Sequence, residues 1–148
     1  MEPRIDYKKL APGIPEALGV IDRYVRDCGL EAPLLELVKL RASQLNGCAR
    51  CMQAHARAAR KAGITQNRLD LLPAWRESPG YSERERAALG WCEAVTLVTE
   101  GHVPDAQVAE ARRHFSEKEI ANLTLAVAGI NAWNRMNIAL RAQPDAEE

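Results

Sequence analysis

Three side chains near the middle of the chain have the residue types and the spacing for thiol redox chemistry. Cys48 and Cys51 are three residues apart, and His55 follows four residues later. Residues three or four positions apart share one face of an α-helix, so this spacing places two thiols and an imidazole side by side. Thiols in a Cys-x-x-Cys pair often have lowered pKa values. An imidazole can remove or return their protons near neutral pH.

Together these groups predict a small thiol oxidoreductase that reduces peroxides. One thiolate would be oxidised to a sulfenic acid, and the second thiol would condense with it to form a disulfide. Two arguments about the attacking sulfur point in opposite directions. The start of a helix favours an anion, which favours Cys48. His55 lies one helical turn from Cys51 but two turns from Cys48, which favours Cys51.

Three other interpretations of the cysteine pair compete with redox chemistry. Two buried thiols can pack simply as small apolar groups. Cys48, Cys51 and His55 could also bind zinc, but no second Cys/His cluster follows, and His102 and His114 stand alone. A thioredoxin-like site requires a strand before the pair, where this sequence has a helical pattern. We therefore predict no metal and no other cofactor.

Glu36 is an acidic residue within an otherwise apolar stretch, Leu34–Leu40, that also contains Lys39. It can form an ion pair with Lys39, three positions further along the same helix. Alternatively, it can point across to His55, where a carboxylate would orient the imidazole and stabilise its charge. The sequence leaves both interpretations open.

The overall composition is that of a folded domain without a charged or membrane-seeking surface. The chain has 148 residues, 47% of them hydrophobic, and 20 basic residues balance 20 acidic ones. This length fits a single domain over residues 1–148. Neither nucleic acid nor a membrane is an expected partner, because there is no net charge and no apolar run near the roughly 20 residues of a membrane span. The charged N-terminus is unlike a signal peptide, so we expect a cytoplasmic protein.

The pattern of apolar residues is helical nearly throughout and predicts an all-α fold. Residues 1–14 are expected to form an irregular arm. Ser82–Glu85 and Ser116–Glu119 match the helix-initiating capping box. The last helix is apolar on more than one face, which indicates a deep core or a subunit interface and favours an oligomer. The predicted helices cover, approximately, residues 15–28, 33–46, 48–62, 66–72, 82–100, 104–114 and 116–141.

The spaced motif of residues 36–55 resembles a known family. Glu36, Cys48-Ala-Arg-Cys51 and His55 are similar to the core motif of AhpD-like alkylhydroperoxidases, which belong to the carboxymuconolactone decarboxylase superfamily. Ser82–Leu89 resembles the start of that family's next core helix, and Gly129–Arg135 resembles its C-terminal segment. The resemblance spans about residues 30 to 141.

This resemblance implies an all-α AhpD-like fold, assembled as a homotrimer or homohexamer, and an antioxidant peroxidase activity. It implies that Cys51 is the peroxidatic thiol, Cys48 the resolving thiol, and His55 with Glu36 the proton relay. The implied partners are an organic hydroperoxide and a thiol or lipoyl-type reductant. Since His55 is nearer to Cys51, we adopt this assignment over the helix-start argument for Cys48.

One departure from the family pattern, one disfavoured activity and one alternative function accompany the resemblance. Arg50 occupies a position where AhpD often has histidine, and arginine can stabilise a thiolate but cannot shuttle protons near neutral pH. The decarboxylase branch does not depend on a Cys-x-x-Cys pair, so lactone chemistry is disfavoured. The alternative function is a non-catalytic oligomeric module that senses redox state or binds metal.

Several further polar and sulfur-containing residues could belong either to a site or to the core. The amides Asn131, Asn134 and Asn137 are spaced by three on the last helix. They could line a pocket near the thiols, or they could bond to backbone at a subunit contact. Cys92 is expected in the core, and Cys28 has no evident partner.

Overall fold

The computed structural model describes residues 2–146, and within them the protein is built from α-helices without β-strands. The prediction of an all-α fold is therefore confirmed. No helix in this range is long and apolar enough to cross a membrane. The helices, in chain order, are α1 (Tyr7–Leu10), α2 (Gly13–Arg26), α3 (Ala32–Asn46), α4 (Ala49–Lys61), α5 (Gln66–Asp70), α6 (Glu83–Thr96), α7 (Asp105–His114) and α8 (Glu117–Ala139).

Helix α3 lies at the centre of the fold and packs against α4, α6 and α8. Its two sides enter two different apolar clusters. Leu35 and Val38 join one cluster with residues of α6 and α8. Leu37 and Leu40 join the other, which is built with α4 and the segment around α5. A helix buried on both sides lacks a single apolar stripe, because nearly all its faces meet protein.

A glycine turn connects α3 to α4 and sets the position of the cysteine pair. Gly47 ends α3 with a left-handed φ of 71°, a conformation that costs glycine little because it has no Cβ. The backbone N–H of Cys48 then donates to the Ser43 carbonyl at 3.0 Å. The predicted end of this helix near residue 46 is thus confirmed, and α4 begins immediately after Cys48.

The N-terminal segment is more ordered than predicted. Tyr7–Leu10 forms a helical turn capped by Asp6, and α2 begins at Gly13 rather than Pro15. The expectation of an irregular arm over residues 1–14 is therefore wrong at these positions. The arm is held because Arg4 donates from its backbone N–H to the Leu140 carbonyl at 3.0 Å. Tyr7 is only 4% exposed, so burial of its ring adds to the ordering.

Both predicted capping boxes are present, at the starts of α6 and α8. Ser82 pairs reciprocally with Glu85, and Ser116 pairs with Glu119. The helix ends differ from the predictions by a few residues, since the last turns are replaced by bends or 3-10 turns, as at Val98–Glu100 after α6.

Helix α8 is buried along one side, where Leu123, Val127 and Ile130 are at most 2% exposed. Its second predicted stripe, which includes Ala132 and Met136, is half-buried. The two residues line a shallow apolar groove with residues of α2. The deep-core interpretation holds for the first stripe, and the oligomer stays a prediction.

Candidate functional site

The α3–α4 hairpin brings the four residues of the predicted motif to the same part of the fold. Cys48 is the N-cap of α4, with extended backbone angles, and its Sγ accepts the backbone N–H of Cys51 at 3.4 Å. Cys51 and His55 follow on successive turns of α4. Glu36 lies on α3, the helix that packs against α4.

Cys48 and Cys51 form a disulfide, with their Cα atoms 5.3 Å apart. This separation lies in the ordinary range for a disulfide, so the helix start and the N-cap geometry of Cys48 suffice to bring the two sulfurs together. Both side chains are buried, at 2% and 4% exposure. The structure therefore contains the oxidised form of the pair.

Glu36 points across the helix pair to His55. Its Oε2 lies 2.8 Å from Nδ1 of His55, and its Oε1 lies 3.5 Å from Nζ of Lys39. Both interactions considered from the sequence therefore occur together. Because Nδ1–H donates to the carboxylate, Nε2 is the imidazole nitrogen left for proton exchange.

The protonation of Glu36 reflects two opposing effects. Burial favours the neutral acid and raises its pKa, but the hydrogen bond and charge of His55, together with Lys39, outweigh burial and hold the pKa of Glu36 below its ordinary value. Glu36 is thus an anion near neutral pH. A carboxylate in this position orients the imidazole through the bond to Nδ1.

A cavity of about 390 Å³ joins these groups. Its lining includes Cys51, His55 and Glu36. Within residues 2–146, Cys51 is the member of the disulfide that lines this cavity, whereas Cys48 does not. A small molecule in the cavity would therefore lie beside both Cys51 and His55.

Two residues at this site lie outside the predicted Glu, Cys, Cys, His motif. Nδ2 of Asn137 donates to Cys51 Sγ at 3.3 Å, and the Tyr7 hydroxyl donates to Asn137 Oδ1 at 3.0 Å. Both line the cavity. The amide spacing on the last helix gave a signal for Asn137. Nothing in the sequence indicated Tyr7, which lies in the segment expected to be irregular.

The other two amides of the predicted set form hydrogen bonds within the chain. Asn134 donates to the Ser43 hydroxyl at 3.1 Å, and Asn131 donates to the Thr96 hydroxyl at 3.0 Å. Asn46 donates to both amide oxygens. These two residues are hydrogen-bonded as expected, but mainly to side chains of the same chain rather than to backbone at a subunit contact. Asn137, in contrast, lines the cavity beside Cys51, as the pocket interpretation predicted.

Arg50 lines the same cavity but uses its guanidinium to hold the C-terminal segment. It donates to the Gln143 carbonyl and forms an ion pair with Asp145 at 3.2 Å. Gln53 also contacts Asp145, accepting its backbone N–H at 2.7 Å. Arg50, which stands where AhpD often has a histidine, therefore holds the C-terminal segment beside the site.

The remaining cysteines lie outside this cavity. Cys92 is fully buried and donates from its thiol to the Val38 carbonyl at 3.3 Å. Burial raises the pKa of Cys92 to about 12, so it stays a neutral thiol. Cys28 is a half-buried free thiol. Among residues 2–146, no three His, Cys, Asp or Glu side chains are grouped to hold a metal ion.

Comparison with known proteins gives relatives along nearly the whole chain. An uncharacterised protein of Bacillus subtilis, YdfG, is 37% identical over 140 residues, which is 95% of each chain. The crystal structure of ATU0492 from Agrobacterium tumefaciens superposes with a TM-score of 0.95 at 42% identity, covering 99% of this chain and 100% of that one. ATU0492 is a protein of unknown function considered a candidate antioxidant defence protein AhpD.

A more distant structure has the same fold. The AhpD-core, peroxidase-related protein of Ralstonia eutropha JMP134 has a TM-score of 0.82 at 20% identity, covering 93% of this chain and 74% of that one. The model of the carboxymuconolactone decarboxylase family matches residues 13–94, more than half of the chain. The protein therefore belongs to the carboxymuconolactone decarboxylase family and has its all-α AhpD-like fold.

Proposed function

We propose that this protein is a dithiol peroxidase that reduces organic hydroperoxides through Cys51 and Cys48. The observation that carries the proposal is the shared cavity, whose lining includes both Cys51 and the Glu36-bound His55. A nucleophile, a proton carrier and a group that orients the carrier are the parts that such a reaction needs.

The first step starts from the reduced pair. The Cys51 thiolate attacks the terminal oxygen of the hydroperoxide, the O–O bond breaks, and the departing alkoxide takes a proton from His55. The products are an alcohol and the Cys51 sulfenic acid. Glu36 stabilises the imidazolium that supplies the proton.

The second step restores the disulfide. The Cys48 sulfur attacks the Cys51 sulfenic acid, an S–S bond forms, and hydroxide leaves as water with the proton of the Cys48 thiol. The N-cap position of Cys48 favours its thiolate, because Cys51 donates its backbone N–H to that sulfur. The helix-start argument thus applies to the resolving thiol.

An external dithiol completes the cycle. A thiolate of a lipoyl-type or other dithiol reductant attacks the sulfur of Cys51, the member of the pair that lines the cavity, and Cys48 leaves as a thiolate. The second thiol of the reductant then releases Cys51 and closes the reductant's own disulfide. Two electrons pass from the reductant to the peroxide in each cycle.

The proposal extends to self-association as a homotrimer or homohexamer. It is supported by the apolar groove between α2 and α8, whose lining includes Ile14, Leu18 and Met136. A continuous apolar area on a protein surface is typical of an interaction surface. Light scattering on the purified protein measures the assembly directly.

The stoichiometry of peroxide consumption without added reductant tests the function. The reduced wild-type protein is mixed with cumene hydroperoxide and is expected to consume one equivalent. Cys48→Ser should also consume about one equivalent and stop at a sulfenic acid, which dimedone traps. Cys51→Ser should consume none, and Cys28→Ser, outside the cavity, should behave as wild type.

One outcome would contradict the peroxidase. If wild type consumes no more than Cys51→Ser, the reaction with peroxide does not occur. The non-catalytic alternative would then be favoured. Stoichiometric zinc in protein purified without added metal would indicate its metal-binding form. Reversible formation of the disulfide without peroxide consumption would indicate its redox-sensing form.

A further inference from the structure

The contact between Asn137 and Cys51 has a defined direction. A sulfur in a disulfide carries no hydrogen, and neither does a thiolate, so in both states the sulfur can only accept a hydrogen bond. The amide atom that faces it at 3.3 Å is Nδ2, a donor. Asn137 is 7% exposed, so little water competes for this bond.

Tyr7 holds the amide in that orientation. Its hydroxyl donates to Oδ1 of Asn137, which leaves Nδ2 facing the sulfur. Burial raises the pKa of Tyr7 above its ordinary value of 10.0, against the opposing charge of Arg50. The hydroxyl therefore keeps its proton near neutral pH and remains a donor.

Cys92 provides a comparison inside the same apolar cluster as Cys51. The Cys92 sulfur faces a carbonyl acceptor, which favours the neutral thiol. The Cys51 sulfur faces an amide donor, which favours the thiolate, because a donor stabilises the ionised sulfur. The two buried sulfurs, in residues with 0% and 4% exposure, thus differ in the group that lies 3.3 Å away: a carbonyl acceptor for Cys92 and an amide donor for Cys51.

We propose that Asn137 is a catalytic residue that donates to the Cys51 sulfur and stabilises its thiolate, and that Tyr7 is a positioning residue that acts through Asn137. This inference rests on the proposed function, in which Cys51 attacks the peroxide and is later released from the reductant. In both steps the negative charge on this sulfur lies against Nδ2.

The test must leave the charged side chains around the cavity unchanged. Helix α8 contributes no charged side chain to the lining. The ionisable groups from the other helices are Lys8, Asp22, Arg26, Glu36, Lys39, Arg50 and His55. Asn137→Leu replaces one uncharged side chain with another of similar size, so it removes the donor without altering these charges.

The test follows alkylation of Cys51 by iodoacetamide as a function of pH in the reduced Cys48→Ser protein. The extent of reaction is read from the Cys51 peptide by mass spectrometry, and the Cys28 peptide is the internal control. With Asn137→Leu, the Cys51 profile should move to higher pH by about one unit, and alkylation near neutral pH should slow about tenfold, as expected for loss of a bond to a charged group.

Tyr7→Phe removes one hydroxyl and keeps the packing of the ring, so it gives a result even if Asn137→Leu does not fold. We expect a shift in the same direction, slowing alkylation by about threefold, as for loss of an ordinary hydrogen bond. The double variant should shift no further than Asn137→Leu alone, because Tyr7 acts through the amide. The inference would be overturned if Tyr7→Phe did not shift the pH profile of Cys51 alkylation. It would also be overturned if the shifts caused by the two single variants added together in the double variant.

Alkylation requires no peroxide, so the two proposals fail separately. If the variants do not shift the pH profile of Cys51 alkylation but wild type consumes cumene hydroperoxide, the peroxidase proposal stands and the proposed roles of Asn137 and Tyr7 are wrong. If the variants shift the profile but wild type consumes no cumene hydroperoxide, Asn137 is a donor to the Cys51 sulfur and the peroxidase proposal is wrong.

Discussion

Nδ1 of His55 lies 2.8 Å from Oε2 of Glu36, although the two residues are 19 positions apart and on different helices. The pair forms because Gly47 turns the chain and lets α4 pack back on α3. The imidazole is fixed at one nitrogen and free at the other. This is the arrangement that a proton carrier beside a reactive thiol requires.

Removal of the imidazole should slow the reaction of Cys51 with peroxide. We expect His55→Ala to reduce the rate about 10²-fold, the usual magnitude of general acid–base assistance. Stopped-flow measurement of sulfenic acid formation in Cys48→Ser gives the rate. His114→Ala, which removes a histidine paired with Glu110, is the matched control and should have no effect. If His55→Ala reacted with peroxide at the same rate and with the same pH dependence as the protein with His55, His55 would not be part of the proton relay.

Glu36 should make the folded state more stable above its ordinary pKa of 4.5 than below it. Its pKa is lowered on folding, so the unfolded chain takes up the proton first as pH falls, and stability is lost as pH falls through the folded pKa. Urea unfolding at several pH values measures this loss. Glu36→Gln should be less stable near neutral pH and should lose less stability on acidification. Parallel pH curves for the two proteins would show that Glu36 does not contribute.

The capping box at the start of α8 should have its own pH dependence. The backbone N–H of Ser116 and the side chain of Arg84 lower the pKa of Glu119 to about 2. Its stabilisation should be complete above about pH 4.5 and lost as pH falls towards about 2. Ser116→Ala should cost about 1 kcal/mol near neutral pH, measured by urea unfolding, with unchanged alkylation of Cys51. If Ser116→Ala were as stable as wild type, the cap would contribute nothing to the free energy of unfolding.

Gly47 should be sensitive to substitution for conformational reasons alone. An added Cβ would meet no atom within 4 Å, but φ is +71°. Gly47→Ala should therefore cost about 1–2 kcal/mol. Gly13→Ala adds a Cβ in equally open space without a left-handed φ, and is expected to be neutral or slightly stabilising. Thermal unfolding of the two variants measures the difference, and equal costs would contradict the conformational explanation.

The helices and their order were predictable because their signals are local. Capping boxes, the Asn46-Gly47 turn and alanine-rich α4 each specify a backbone conformation within a few residues. The motif spacing likewise brought Cys48, Cys51 and His55 to one helical face. The prediction of a single domain over residues 1–148 stays a prediction.

Other parts of the site depend on contacts between distant segments. Tyr7 and Asn137 are 130 positions apart, and neither lies in the segment that matches the family. Tyr7 belongs to an arm that is ordered through α8, so no local pattern reveals it. Arg50 likewise finds its partners in the C-terminal segment.

The sequence by itself determined the all-α fold, the cysteine pair at a helix start and the imidazole one turn beyond it, because helical periodicity and capping act over a few residues. Only the tertiary structure decided that Glu36 reaches both His55 and Lys39, that Cys51 rather than Cys48 lines the cavity, and that Asn137 meets the Cys51 sulfur. These choices depend on how α3, α4 and α8 pack, and packing is set by the burial of many side chains at once rather than by spacing along one helix.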